Sequence, residues 1–286
     1  MPLKDKVATV VKWAIWCTLR PFHRGDAWPI TVLAGPAKST KLMLDLRKNG
    51  SYFLGTYDAW ILNRIRIENW LPRGGVAWDC GAYVGFYTAL MRNAVGEEGA
   101  VIAFEASAQN YAALSKIPAL NNWSNVEIIH SAVGPDHCII EFAGGFGGAS
   151  GPTAFKSFDD GVDREAVPSV GIDELVFERG VASPDFVKFD LEGAEIAALR
   201  NGDRLFSQRR PVLLLEVHGE AALDACGHFL EQYSYMAWDI RYFNQLGAAP
   251  FVNSATINSC KGGICNTLFC IPIERADFRR KILAES

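Results

Sequence analysis

The chain has no run of eighteen apolar residues, so the sequence predicts no membrane-spanning helix. It has no block of like charges either. Its 28 Lys and Arg against 32 Asp and Glu leave a formal net charge of −4. Binding a phosphate backbone needs a basic surface, so nucleic acid is not an expected partner. Cysteine pairing is also missing. The seven cysteines are Cys17, Cys80, Cys138, Cys226, Cys260, Cys265 and Cys270, an odd number with no C-x-x-C spacing. This argues against a disulfide framework and a zinc knuckle, and for reduced thiols in a cytoplasmic protein. No internal repeat and no low-complexity tract occurs.

What is present is the stretch Val76 to Thr88, V-A-W-D-C-G-A-Y-V-G-F-Y-T. It begins as an apolar strand, turns through Asp79, Gly81 and Gly85, and continues with helical spacing. Glycine permits a sharp turn and the close approach of a ligand. A helix N-terminus offers unpaired N–H groups. Strand, glycine turn and helix together make a nucleotide-type crevice at the carboxyl edge of a parallel sheet. The next strand ends on Glu105, where an acid can accept hydrogen bonds from both hydroxyls of a ribose. A dinucleotide site would need G-x-G-x-x-G, but Tyr83 stands where the middle glycine should be. Asp79 directly before the turn suits a ligand carrying positive charge, such as the ammonium and sulfonium of S-adenosylmethionine.

Along the chain, Leu3 to Leu19 is amphipathic with basic flanks and reads as a helix packed on the domain or on a second subunit. It leaves membrane-surface contact and a homodimer open. Two strands, Trp28–Leu33 and Lys41–Leu46, precede a helix from Ala59 to Asn69. From Val76 onward strand and helix alternate, which implies a parallel sheet. One helix is expected from Ala108 to Leu120. Ala143 to Asp163, rich in Gly, Ser and Asp, reads as a loop with the character of a lid. Tyr235–Ile240 and Thr267–Ile271 read as a closing antiparallel pair. We divide the chain into residues 1–72, an extension that covers the substrate or contacts another copy, and residues 73–286, the cofactor-binding domain.

Four strands end in polar residues: Asp79, Glu105, Asp190, and Glu216 with His218. In an open parallel sheet such ends meet in the ligand crevice. The residues V-K-F-D-L-E-G-A-E, from Val187 to Glu195, together with D-C-G-A-Y-V-G-F-Y-T, L-L-L-E-V-H-G and the upstream L-G-T-Y-D, resemble the FkbM family of S-adenosylmethionine-dependent methyltransferases. That resemblance implies an α/β, Rossmann-like class I fold. It has a seven-stranded, mostly parallel sheet, helices on both faces and an antiparallel last strand. It implies methyl transfer to a hydroxyl of a sugar, glycolipid or secondary metabolite, so the expected partner is a small-molecule or glycan acceptor. By the same resemblance Asp79, Gly81, Tyr83 and Gly85 hold the methionine end of the cofactor. Glu105 binds the ribose, and Ser131 and Ala132 border the adenine. Asp190 and Glu192 are the acids after the strand. The family's usual Glu after L-G-T-Y is replaced by Asp58, beside Tyr57, which we include as a substrate contact.

Methyl transfer to an alcohol needs alignment and removal of one proton. His218 is the first choice of base, because an unperturbed histidine titrates near about 6.5. Glu216 either orients it or takes the proton itself. Asp190 holds the cofactor's ammonium or the acceptor hydroxyl. Glu195, just inside a helix N-terminus, is read as stabilising the helix dipole. A divalent metal held by Asp190, Glu216 and His218 is conceivable, because oxygen and nitrogen ligands converge there, but none is expected, since nothing in the sequence fixes their geometry. Two alternatives are a nicotinamide-dependent oxidoreductase and a non-catalytic binding protein on the same scaffold.

Overall fold

The computed structural model describes residues 13–14, 16–19, 26–143, 164–259 and 266–284. Most of the amphipathic first segment, the stretch expected to be a lid from residue 144 on, and Cys260 and Cys265 lie outside the described residues.

Strands β1 (Trp28–Thr31) and β2 (Lys41–Leu44) pair antiparallel. Two short helices follow, α1 (Gly50–Leu54) and α2 (Ala59–Ile65). The central sheet then begins with β3 (Val76–Cys80), α3 (Phe86–Val95) and β4 (Ala100–Glu105). The single helix expected over 108–120 is two, α4 (Ala108–Leu114) and α5 (Ile117–Asn121). Pro118 near the start of α5 explains the break, because proline has no N–H to continue a helical ladder. β5 (Val126–His130) closes this half of the sheet. A separate three-stranded sheet combines β6 (Ala132–Val133), β7 (Cys138–Ala143) and β8 (Arg164–Val170) in the order β6-β8-β7. The second half contains α6 (Ile172–Phe177), β9 (Phe186–Phe189), α7 (Glu195–Arg200), β10 (Val212–Glu216) and α8 (Glu220–Gln232). β11 (Tyr235–Asp239), α9 (Ser254–Asn258), β12 (Thr267–Pro272) and α10 (Ala276–Ala284) complete the described chain.

The seven-stranded sheet runs β11-β12-β10-β9-β3-β4-β5, with only β12 antiparallel to its neighbours. This is the architecture implied by the resemblance. Both faces are covered, so the strands are apolar on both sides. Ala77, Val101 and Ala103 pack towards Phe86 and Leu90 of α3. Trp78, Ile102 and Phe104 pack towards Leu175, Leu199 and Phe229 of the opposite helices. Each such side chain contributes about 1.5–3 kcal/mol on full burial. Leu42, Leu44 and Phe53 of the first 72 residues share the α3-side core, so this part of the chain is seated on the sheet.

The chain leaves β3 in one direction across the sheet, to β4 and β5, and returns on the other side of β3 with β9 and β10. A crevice opens at the carboxyl ends of strands where the order reverses in this way.

Candidate functional site

The floor of the crevice is the turn after β3. Gly81 has a φ of 86°, and a Cβ on it would lie 1.9 Å from the Asp190 carbonyl oxygen. Only glycine lets the ends of β3 and β9 close on each other here. Tyr83 is also left-handed, at φ 50°, although it is not glycine. Its N–H donates to Oε2 of Glu105 at 2.8 Å, which ties the turn to the end of β4. Above the turn is a cleft enclosing about 960 Å³, mouth included.

One side of the cleft carries Glu105, Ala106, Asn110, Ser131, Ala132 and Val133. Glu105 is almost fully buried. Besides Tyr83 N it accepts Ser107 N at 2.9 Å and Asn110 Nδ2 at 3.3 Å. Burial raises its pKa, and these donors oppose the rise. The other side carries Tyr52, Tyr57, Tyr87, Asp190, Glu192 and Glu216. Tyr52 and Tyr57 stack at 4.0 Å, and both meet the Phe86 ring edge-on, at 5.6 and 5.7 Å. Burial pushes both phenols up, Tyr57 to about 12, so neither is a base near neutral pH.

Of the residues singled out from sequence, Gly81, Tyr83, Glu105, Ser131, Ala132, Asp190, Glu192, Glu216 and Tyr57 line this cleft. Asp79, Gly85 and His218 do not. Asp79 lies beneath the floor with no exposed surface. Thr88 Oγ1 donates to its Oδ2 at 2.6 Å, and Lys188 Nζ lies 3.6 Å from its Oδ1. The cation facing Asp79 is therefore the protein's own. Gly85 caps the start of α3 at φ 76°, and a Cβ there would collide with the side chains of Leu114 and Ile117. Its role is packing, since it does not reach the cleft.

His218 stands behind the wall. Its Nδ1 is 2.8 Å from Oε1 of Glu195, while Nε2 is 3.8 Å from Glu216 and 3.9 Å from Glu192. Two sequence readings change here. Glu195, not Glu216, orients the imidazole, and Glu195 does more than stabilise a helix dipole. It is 2% exposed and also accepts the N–H groups of Leu191 and Gly193. The hydrogen bond to Glu195 outweighs burial and lifts the His218 pKa to about 9. At neutral pH this histidine keeps its proton, so it is not the base expected from an unperturbed value. Glu216 shifts towards that role. Burial first, and then the charge of Asp190, raise it to about 7, with Lys188 and His218 pulling back.

The sequence reading missed Lys188 and the link between Glu195 and His218. A lysine within the buried strand F-V-K-F was the one available signal. Its Nζ is 3.2 Å from both Asp190 Oδ2 and the Gly81 carbonyl. Asp58, left-handed at φ 47°, accepts the Tyr87 hydroxyl at 2.9 Å and so ties α2 to α3. Asp190, Glu192 and His218 form the one trio among the described residues whose ligand-type atoms lie within 4.8 Å of one another. Within this trio Asp190 is paired with Lys188 and His218 with Glu195, and Glu192 takes the place that the sequence reading gave to Glu216 in such a set.

A family model described as "Methyltransferase FkbM domain" matches residues 79–242, more than half of the chain. The chain belongs to this family. Its cofactor is S-adenosylmethionine. Among solved structures, this FkbM-family chain is similar to a methyltransferase FkbM from Methylobacillus flagellatus KT at 21% identity and TM-score 0.36. That match covers 50% of this chain and 32% of the other, so the aligned part is about a third of that protein's length. It is similar to a precorrin-6y C5,15-methyltransferase from Geobacter metallireducens GS-15 at 16% identity and TM-score 0.38, covering 74% and 84% of the two chains. It is also similar to the Aeropyrum pernix fibrillarin crystallised with natively bound S-adenosyl-L-methionine, at 12% identity and TM-score 0.42, covering 74% and 73%. At these scores the likenesses say nothing of the acceptor. No curated protein matches the chain.

The residues present fit this cofactor. Glu105 lines the cleft and has about four acceptor positions, of which its own chain uses three, so it has room for one ribose hydroxyl and not for the two expected from sequence. Ala132 and Val133 offer an apolar surface beside it. Asp190, at the end of β9 on the other side of β3 from Glu105, adds a carboxylate to the lining.

Proposed function

We propose that this FkbM-family protein is an O-methyltransferase acting on a hydroxyl of a sugar, glycolipid or secondary metabolite, with Glu216 as the general base. The observation that carries this reading is the position of Glu216. It lines the cleft beside Asp190, and its surroundings bring its pKa to about 7. A base poised near the working pH is the most effective one.

The cofactor supplies a methyl group already activated by the sulfonium. The remaining work belongs to the chain. Gly81 and Tyr83 shape the floor, Glu105 binds the ribose, and Ser131 and Ala132 border the adenine. Glu216 accepts the acceptor hydroxyl's proton as oxygen meets the methyl carbon. Protonated His218, 3.8 Å away and fixed by Glu195, steadies the Glu216 anion. Holding acceptor and donor in line can be worth about 7–11 kcal/mol. Glu192 is read as an acceptor contact, and Asp190 as the carboxylate that meets the cofactor's ammonium.

The stacked Tyr52 and Tyr57 give the acceptor side a flat apolar wall, suited to the C–H face of a sugar ring. Both tyrosines precede the matched family domain, so residues 1–72 are read as the substrate cover. Lys188 is the one basic side chain lining the cleft among the described residues, and it is already paired with Asp190. A polyphosphate acceptor would find no free cation there.

The test is incubation with S-adenosylmethionine and a panel of glycosides and hydroxylated metabolites, reading S-adenosylhomocysteine release and product mass. O-methylated product that disappears with Glu216→Gln supports the proposal. Tight cofactor binding without turnover on any hydroxylated compound would instead favour a non-catalytic binding protein.

A further inference from the structure

Lys188 is a buried cation that this mechanism does not use. It lies in β9, a central strand whose other members are Phe186, Val187 and Phe189. Its side chain is 8% exposed. A buried ammonium is costly unless it is paired and hydrogen-bonded. Here Nζ lies 3.2 Å from Asp190 Oδ2, 3.2 Å from the Gly81 carbonyl, 3.6 Å from Asp79 Oδ1 and 5.0 Å from the centre of the Tyr87 ring. One ammonium thus touches the end of β3, the glycine turn and the carboxylate at the end of β9.

We infer that Lys188 is a positioning residue for the donor site: from beneath the cleft floor its ammonium joins Asp190 to the Gly81 turn and to Asp79, and so sets the carboxylate that a cationic cofactor meets. The inference rests on the cofactor assignment above.

Every group facing Lys188 bears on this. Asp79 faces it from β3, Asp190 from the end of β9 and Glu216 from β10, with Cys80 in electrostatic reach on the other face of β3. Tyr57 and Asp58 face it from the segment between α1 and α2, and the Tyr87 ring from α3. Burial alone would pull the ammonium's pKa down, but Asp190 and Asp79 outweigh burial and raise it. In return Lys188 opposes the upward push of burial on Asp79 and Glu216. Without the ammonium these carboxylates hold protons to higher pH, and protons then compete with a positively charged ligand.

The experiment measures Kd for S-adenosylmethionine and S-adenosylhomocysteine by calorimetry between pH 5.5 and 9, in the full chain and in Lys188→Met and Lys188→Arg. In the wild type the affinity for S-adenosylmethionine should rise with pH, with a midpoint near the Glu216 value of about 7. In Lys188→Met that midpoint should move up by about one pH unit or more. S-adenosylhomocysteine, neutral at sulfur, should show a much flatter profile in every variant. Lys188→Arg should keep the wild-type midpoint. Should Lys188→Met fail to fold, Lys188→Met with Asp79→Asn removes one stranded buried carboxylate and carries the same comparison. An unmoved midpoint, with both ligands merely weakened by a constant factor, overturns the inference and leaves Lys188 as a structural residue. A wild-type chain that binds neither nucleoside overturns the cofactor assignment as well.

Discussion

Glu195 Oε1 lies 2.8 Å from Nδ1 of His218 and joins the start of α7 to the segment following β10. The bond accounts for the histidine's raised pKa of about 9. Glu195→Gln removes the charge and should bring His218 down towards about 6.5. NMR titration of the imidazole reads this directly. The sign for stability follows. A histidine whose folded pKa lies above its unfolded value contributes stability that is full below about pH 6.5 and lost as pH rises through about 9. Thermal stability should fall across that window in the wild type and less in the variant. An unchanged titration in Glu195→Gln would remove Glu195 as the cause.

Glu216→Gln should lower methyl transfer by about 10²–10⁴-fold, the usual worth of a general base. His218→Ala should cost less, and should move the rising limb of the rate profile to higher pH, because His218 holds the Glu216 pKa down. Stability gives a second readout. The folded pKa of Glu216 is raised above the unfolded value, so folding loses stability as pH rises from about 4.5 through 7. Glu216→Gln should therefore melt higher than wild type above pH 7, by about 2–4 °C for each kcal/mol relieved. A variant with full turnover and an unshifted melting point would rule Glu216 out as the base.

Glu105→Ala should weaken S-adenosylhomocysteine binding by about 10–100-fold, since hydrogen bonds to a charged group are worth about 1.5–3 kcal/mol. It also frees the N–H groups of Tyr83 and Ser107, which loosens the turn itself. Calorimetry settles the matter. Wild-type affinity in this variant would place the ribose elsewhere.

Gly81→Ala places a Cβ 1.9 Å from the Asp190 carbonyl at a φ of 86°. The ends of β3 and β9 must separate to admit it. We expect a loss of stability of several kcal/mol, with cofactor affinity falling as well, since strained left-handed backbone and overpacking each cost about 1–3 kcal/mol. Chemical denaturation and calorimetry on one preparation measure both. A variant as stable as wild type would mean that the turn yields.

Tyr57→Ala should raise the KM for the acceptor at least about tenfold while leaving the Kd of S-adenosylhomocysteine within about twofold, because a stacked ring contributes about 0.5–1.5 kcal/mol beyond its buried area. A change in cofactor affinity with no change in acceptor KM would move the aromatic wall to the donor side.

The sheet was readable in the chain because burial on both faces demands strands apolar throughout, and because such strands alternate with helical spacing. The polar residue closing each strand was equally visible, and most of those tips do line one cleft. Their ionisation was not visible. His218 was read from its free-solution value, but in the structure it is set by Glu195, 23 positions earlier in the chain. Asp79 was read as facing a ligand's positive charge, but it faces Lys188, more than a hundred positions later. Composition and spacing thus determined the alternation of strand and helix, the glycine turn and the acid at the end of β4, because these follow from local backbone geometry and the period of apolar residues, while the seven-stranded order came from the family resemblance. The tertiary structure alone decided which carboxylate is poised near neutrality, which histidine keeps its proton and which tyrosines wall the cleft. Those properties depend on distances and burial between segments that meet only in the folded chain.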